Sequence, residues 1–150
     1  MIGNNFFTYA LIMLLAGLGI PVMAALNGGL GVKLQSPILA STILFVVSSL
    51  ISVVYLAVSG NWPKSLPNNV PVYLYFGAAF VIFYILSITA IAPKFGIGNA
   101  ISFVLLGQLI SMALIDHYQL LGMPHNPINI TRFSGLVLMT AGVFLAVRRG

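Results

Sequence analysis

The sequence predicts an all-α integral membrane protein with five transmembrane helices. Six of its 150 residues are lysine or arginine, one is acidic, and 60% are hydrophobic. The mean hydropathy of +1.11 leaves too little polar surface for a soluble fold of this size. Five apolar stretches each reach the length of about 20 residues that a helix needs to cross about 30 Å of hydrocarbon.

The predicted spans follow one another with breaks marked by Gly, Pro and Asn. We place the spans at residues 6–26, 38–58, 72–92, 97–115 and 130–147, and none contains Asp, Glu or Lys. The first three breaks are short, which predicts antiparallel neighbours and a single domain over residues 1–150. The fourth break, residues 116–129, is longer, and Gly122, Pro124 and Pro127 argue against a helix across it.

Five spans place the two ends of the chain on opposite faces of the membrane, so each cation can be assigned to a face. The tendency of Lys and Arg to stay in the cytoplasm weakly favours a cytoplasmic C-terminal face, and a mixed orientation stays open. The C-terminal face carries Lys33, Lys94, Arg148 and Arg149, and the opposite face carries Lys64 and Arg132.

The shortage of reactive side chains excludes several classes of function. Asp116 is the sole carboxylate, and HExxH, GxSxG and phosphate-loop motifs are absent, so we predict no enzyme and no cofactor. His117 and His125 have no other strong ligands nearby, which predicts no metal site. The cations are scattered apart from the terminal Arg148-Arg149 pair, which predicts no nucleic-acid partner.

Two amide side chains, Asn27 and Gln108, stand out in the apolar sequence, because a buried amide without a partner costs several kcal/mol. At about 100° per residue, Ser111 lies about 60° to one side of Gln108 and Asp116 about 80° to the other. This polar sector predicts a water-filled cavity with Asn27, Gln108 and Ser111 as solute-binding residues. In the alternative, Gln108 bonds across a helix contact and Asp116 pairs with Arg132 or Lys64 at a helix end.

Small residues form a second pattern, which predicts close helix packing. On the first helix the stripe comprises Gly17, Ala24, Gly28 and Gly31, and on the last helix it comprises Gly135, Gly142 and Ala146, where we expect a dimer contact. Pro21 interrupts the hydrogen bonding of the first span, so its neighbourhood is a candidate hinge and Pro21 is a further candidate solute-binding residue.

Several segments together resemble the YdcZ-type five-helix family of the drug/metabolite transporter (DMT) superfamily. The most specific are Gly107-Gln108-Leu109-Ile110, Leu114-Ile115-Asp116 and Gly122-Met123-Pro124, supported by residues 21–27, 98–100 and 142–149. The glutamine that the family often carries before the first-helix asparagine is missing, since residues 22–26 are all apolar.

The resemblance implies one half of an inverted-repeat, DMT-type transporter in the bacterial inner membrane. Such a half needs a partner of opposite topology in the lipid bilayer, either a second copy in an antiparallel, dual-topology homodimer or an oppositely oriented paralogue. The implied function is export of a small solute, with Asp116 and Arg132 as a gate or ion pair. No acid lies at mid-membrane, which favours neutral, zwitterionic or amphipathic solutes. The alternative is a non-transporting assembly or regulatory subunit.

Overall fold

The computed structural model describes residues 3–63, 65 and 69–147, and every regular element in these ranges is helical. Five of the helices are long and apolar enough to cross a membrane, which confirms the predicted fold class. They are α1 (Gly3–Lys33), α2 (Pro37–Ser59), α3 (Gly77–Phe95), α4 (Ile97–His117) and α5 (Ile130–Val147). Short 3₁₀ helices at Val72–Phe76 and Leu120–Gly122 precede α3 and follow α4.

Helix α1 is longer than predicted, because it continues through Asn27 to Lys33. The predicted break at residue 27 is therefore wrong. The Asn-Gly-Gly sequence stays helical because Asn27 and Gly28 are buried against neighbouring helices, and this packing offsets their low helix propensity. Pro21 also lies inside α1, and its role as a hinge stays a prediction.

The turn between α1 and α2 is three residues long and is held by caps on both helices. Gln35 has the left-handed conformation, with φ of 52°. The Ser36 amide donates back to the Gly31 carbonyl at 3.1 Å, as in a Schellman cap. The Ser36 hydroxyl then accepts from the Leu39 amide at 3.1 Å, and Pro37 begins α2. The two helices therefore form an antiparallel hairpin.

Helix α3 also extends beyond its predicted end. Pro93 lies in its last turn and Phe95 is its final residue, so the predicted break at residue 93 is three residues too early. Proline at this position has no backbone N–H to donate to the preceding turn of α3, but that turn still forms. Gly96, with φ of 89°, ends the helix in a conformation that favours glycine.

The described residues form two compact units, one up to Lys94 and one from Phe95. Buried residues of the first unit include Ala24, Ala40 and Ile88, and those of the second include Leu109 and Ala113. A single domain over residues 1–150 stays a prediction. Lys64, Arg148 and Arg149 lie outside the described residues, so the predicted distribution of cations over the two faces also stays a prediction.

Candidate functional site

A buried polar cluster joins the three helices of the first unit. It comprises Asn27 of α1, Ser41 of α2 and Thr89 of α3, which are 4%, 1% and 1% exposed. Asn27 Nδ2 donates to Thr89 Oγ1 at 2.6 Å. The Ser41 hydroxyl donates to its own helix at the Pro37 carbonyl, at 2.9 Å, and lies 3.4 Å from Thr89 Oγ1. We call these three residues the Asn27 cluster.

Two glycines of α1 allow the helices to approach closely at this cluster. A Cβ atom on Gly31 would lie 3.1 Å from Thr89 Cγ2 and 3.4 Å from Pro37 Cα. A Cβ on Gly28 would lie 3.2 Å from Pro93 Cγ. The structure therefore shows close packing at Gly28 and Gly31 within the first unit. Among the described residues of this unit, nothing outside the backbone of α1 lies within 4 Å of a Cβ placed on Gly17.

The Asn27 cluster gives this amide a partner inside the protein. Thr89 and Ser41 complete the cluster, and the sequence pattern did not identify them, because hydroxyl side chains are common in apolar helices. A solute-binding role for Asn27 stays a prediction, and so does such a role for Pro21, which is partly exposed on α1.

Gln108 and Ser111 are exposed on α4 in the second unit, and we call this surface the Gln108 face. Eleven residues of α4 precede Gln108 and nine follow it, so the amide lies close to the middle of the helix. Among the described residues of the second unit, neither side chain has a hydrogen-bond partner.

A groove of about 480 Å³ lies between α4 and α5. Its lining is apolar except for Thr140, and includes Leu109, Ala113, Phe133 and Phe144. The Thr140 hydroxyl already donates to the Leu136 carbonyl at 2.8 Å. The groove therefore offers no free polar group, and Gln108 is not among its lining residues.

Asp116 and Arg132 form a salt bridge where α4 and α5 are connected, and their side chains are 26% and 20% exposed. The Arg132 guanidinium also donates to the Asn126 carbonyl. The Asn126 amide in turn donates to the Asp116 carbonyl at 3.0 Å. Asn129 caps α5 by accepting the Arg132 amide at 2.8 Å. The structure thus shows the ion pair, and Lys64, the other partner considered, lies outside the described residues. A gating role stays a prediction.

His117 also takes part in this connection. Its Nδ1 accepts the Ile128 amide at 3.2 Å, and its ring meets Tyr118 edge-on with centroids 4.8 Å apart. In the part of the chain that the structure describes, no three potential ligands group together for a metal ion.

The small residues of α5 face away from α4. Nine residues at about 100° each place Gly142 about 180° around the helix from Phe133 of the groove. Among the described residues of the second unit, nothing outside the backbone of α5 lies within 4 Å of a Cβ placed on Gly135 or Gly142, and Ala146 is exposed. The predicted role of this stripe in a dimer stays a prediction.

Comparison with protein families gives a match over most of the chain. The family model described as "Putative inner membrane exporter, YdcZ" matches residues 8–145. The chain belongs to this family. The match includes all of α2, α3 and α4, and both residues of the Gln108 face. A search of curated proteins and a search of solved structures each gave no match.

Family membership confirms the predicted relationship and the location. The protein is a multi-pass inner-membrane protein of an exporter family, and that family is not one of enzymes.

Proposed function

We propose that this protein exports a small solute that contacts Gln108 and Ser111 of α4. The observation that carries the proposal is the exposed Gln108 amide near the middle of a membrane-spanning helix. An amide that faces hydrocarbon without a partner costs several kcal/mol. The Gln108 face therefore lines a polar space, and a solute crossing the membrane needs such a space at mid-depth.

The charges of the chain limit the class of solute. Asp116, the sole acidic residue, lies at the end of α4 and is paired with Arg132. No carboxylate is left at mid-depth to balance a lipophilic cation, and an unbalanced charge there is costly. Amide and hydroxyl groups instead suit neutral, zwitterionic or amphipathic solutes, since they donate and accept hydrogen bonds without a net charge.

The proposed working unit is an antiparallel homodimer. A second copy inserted in the opposite sense would be related to the first by a two-fold axis in the membrane plane, which is the inverted symmetry of DMT-type transporters. The stripe of Gly135, Gly142 and Ala146, which faces away from α4 within the second unit, is the surface we assign to contact between copies. An oppositely oriented paralogue would satisfy the same symmetry.

Flux into liposomes that contain this protein alone tests the proposal. Candidate neutral, zwitterionic and amphipathic solutes are screened first, and transport of at least one is expected. Gln108→Leu should then abolish flux while the thermal unfolding temperature stays close to that of the unmodified chain. The matched control is Thr140→Val, which changes a groove residue and should leave flux intact. Normal flux in folded Gln108→Leu would contradict the site, and no flux for any solute would favour a non-transporting subunit.

Cysteine labelling tests the dual orientation, because the chain contains no cysteine of its own. Asn61 is exposed in the connection that follows α2. Asn61→Cys should react with a membrane-impermeant maleimide from both sides of the membrane, in similar amounts. Labelling from one side alone would rule out dual orientation and leave the paralogue as the partner.

A further inference from the structure

The last turn of α3 lacks one of its backbone hydrogen bonds. In an α-helix each amide donates to the carbonyl four residues earlier, and proline has no N–H to donate. Pro93 lies inside α3, so the Thr89 carbonyl is left without its helical donor. Sharp bends in helices occur at such prolines, because fewer hydrogen bonds hold the backbone there. The end of α3 is therefore easier to bend than the turns before it.

The two ends of this turn are held by different helices. Pro93 packs against α1 of the first unit, where a Cβ on Gly28 would lie 3.2 Å from Pro93 Cγ. Phe95 is held by α4 of the second unit. The Phe95 carbonyl accepts from Asn99 Nδ2 at 2.9 Å, and the ring centroids of Phe95 and Phe103 are 5.9 Å apart. The last turn of α3 is thus divided between the two compact units.

A single glycine separates α3 from α4. Helix α3 ends at Phe95, and α4 begins at Ile97. Gly96 has φ of 89°, and its carbonyl already accepts the Ala100 amide of α4 at 3.0 Å. A connection this short transmits any rotation of α4 to the last turn of α3. Residues at the ends of helices commonly act as hinges, because they absorb changes in φ and ψ.

We propose that residues 93–96 form a hinge on which the second unit turns relative to the first. This inference rests on the proposed function, since an exporter must open its solute site to each side of the membrane in turn. The hydrogen bond between Asn27 and Thr89 fixes α3 to α1, so bending begins beyond residue 89. A bend of about 10° displaces the far end of α4, about 30 Å away, by about 5 Å.

Distances between two spin labels test the hinge in the cysteine-free chain. Val58 of α2 and Ile130 of α5 are exposed, and counting spans places both on the membrane face opposite the hinge. Labelled Val58→Cys/Ile130→Cys, diluted with unlabelled chain so that distances within one chain are measured, should give a distribution several ångströms wide. Val58→Cys with Thr8→Cys, both in the first unit, should give a narrow one. Equally narrow distributions overturn the proposal.

Pro93→Ala should stiffen the hinge, because alanine supplies the amide that bonds to the Thr89 carbonyl. The distribution between labels on the two units should narrow, and flux per folded molecule should fall several-fold, since hinge residues limit opening and closing. Pro37→Ala is the matched control, because Pro37 begins α2 and leaves no helical carbonyl without its donor. Both measurements should be unchanged in the control. A distribution that Pro93→Ala leaves equally broad overturns the hinge.

A second variant separates the restored hydrogen bond from the lost contact of the proline ring. Pro93→Leu keeps an apolar side chain beside Gly28 and also restores the amide, so it should narrow the distribution as Pro93→Ala does. A broad distribution in Pro93→Leu would contradict the role of the missing hydrogen bond.

The distance measurement needs no solute, so it separates this inference from the proposed function. Absence of flux for every solute, together with a broad distribution that narrows in Pro93→Ala, would contradict the proposed function and keep the hinge. Normal flux in Pro93→Ala with a narrowed distribution would keep the exporter and overturn the role of the hinge in transport.

Discussion

Asn27 and Thr89, 62 residues apart in sequence, are joined by a hydrogen bond of 2.6 Å between the Asn27 amide and the Thr89 hydroxyl. The bond connects α1 to α3, and both residues are almost completely buried. Breaking this hydrogen bond is costly, because no water can reach the buried group that remains and replace its lost partner.

Removing this acceptor should destabilise the protein. Thr89→Val keeps the shape of the side chain and leaves the buried Asn27 amide without a partner, which should lower the free energy of unfolding by about 1–3 kcal/mol. Thr42→Val is the matched control, because Thr42 is exposed and its hydroxyl bonds to its own helix. Thermal unfolding in detergent measures both variants. Equal losses would show that the Asn27 cluster contributes nothing special to stability.

The close approach of α1 at Gly31 should be intolerant of a methyl group. Gly31→Ala places a Cβ 3.1 Å from Thr89 Cγ2 and 3.4 Å from Pro37 Cα, so helices must shift at a cost of about 1–3 kcal/mol. Gly29→Ala, two residues away, meets nothing within 4 Å and should be neutral or stabilising, since alanine favours a helix. Chemical or thermal unfolding in detergent compares the pair, and a stable Gly31→Ala variant would contradict the packing.

The ion pair between Asp116 and Arg132 should contribute to folding rather than to transport. Asp116→Asn should reduce the yield of folded protein while flux per folded molecule, and its dependence on pH, stay unchanged. A double-mutant cycle with Arg132→Gln should give a coupling of about 1 kcal/mol, typical of a partly exposed pair. A shift of the pH profile of transport in Asp116→Asn would instead indicate that this carboxylate takes part in the transport cycle.

A bulky residue on the small stripe of α5 should weaken the dimer. Gly142→Leu adds a bulky side chain to the face of α5 that we assign to contact between copies, so a second copy could no longer approach closely. Ala141→Leu is adjacent but lies on the groove side of α5 and should leave the dimer intact. Size-exclusion chromatography with light scattering measures the assembly. A Gly142→Leu dimer of unchanged stability would assign the stripe to lipid.

The five spans were predictable because hydrocarbon imposes a length and a composition on any helix that crosses it. The helix ends were less predictable, since they depend on local backbone conformation and packing. Gln35 adopts the left-handed conformation that usually calls for glycine, so the end of α1 gave no strong sequence signal. Pro93 is tolerated in the last turn of α3, where a break was expected.

The residues of the candidate site were also predictable only in part. An amide within an apolar span costs free energy unless it has a hydrogen-bond partner, and this identified Asn27 and Gln108 as informative positions. Their different surroundings, one buried against Thr89 and one exposed, depend on which helix faces are packed together. Thr89 gave no signal of its own, because a threonine such as Thr42 can satisfy its hydroxyl within one helix.

The three-residue turn at Gln35 has a consequence for the order of assembly. Its caps link helices adjacent in sequence, so the α1–α2 hairpin can form as soon as α2 is synthesised, with little loop entropy lost. Ser41 is already satisfied there by the Pro37 carbonyl, but the hydrogen bond of Asn27 awaits Thr89. The unmet amide in the nascent hairpin therefore favours docking of α3 and gives the later helix a defined register during membrane insertion.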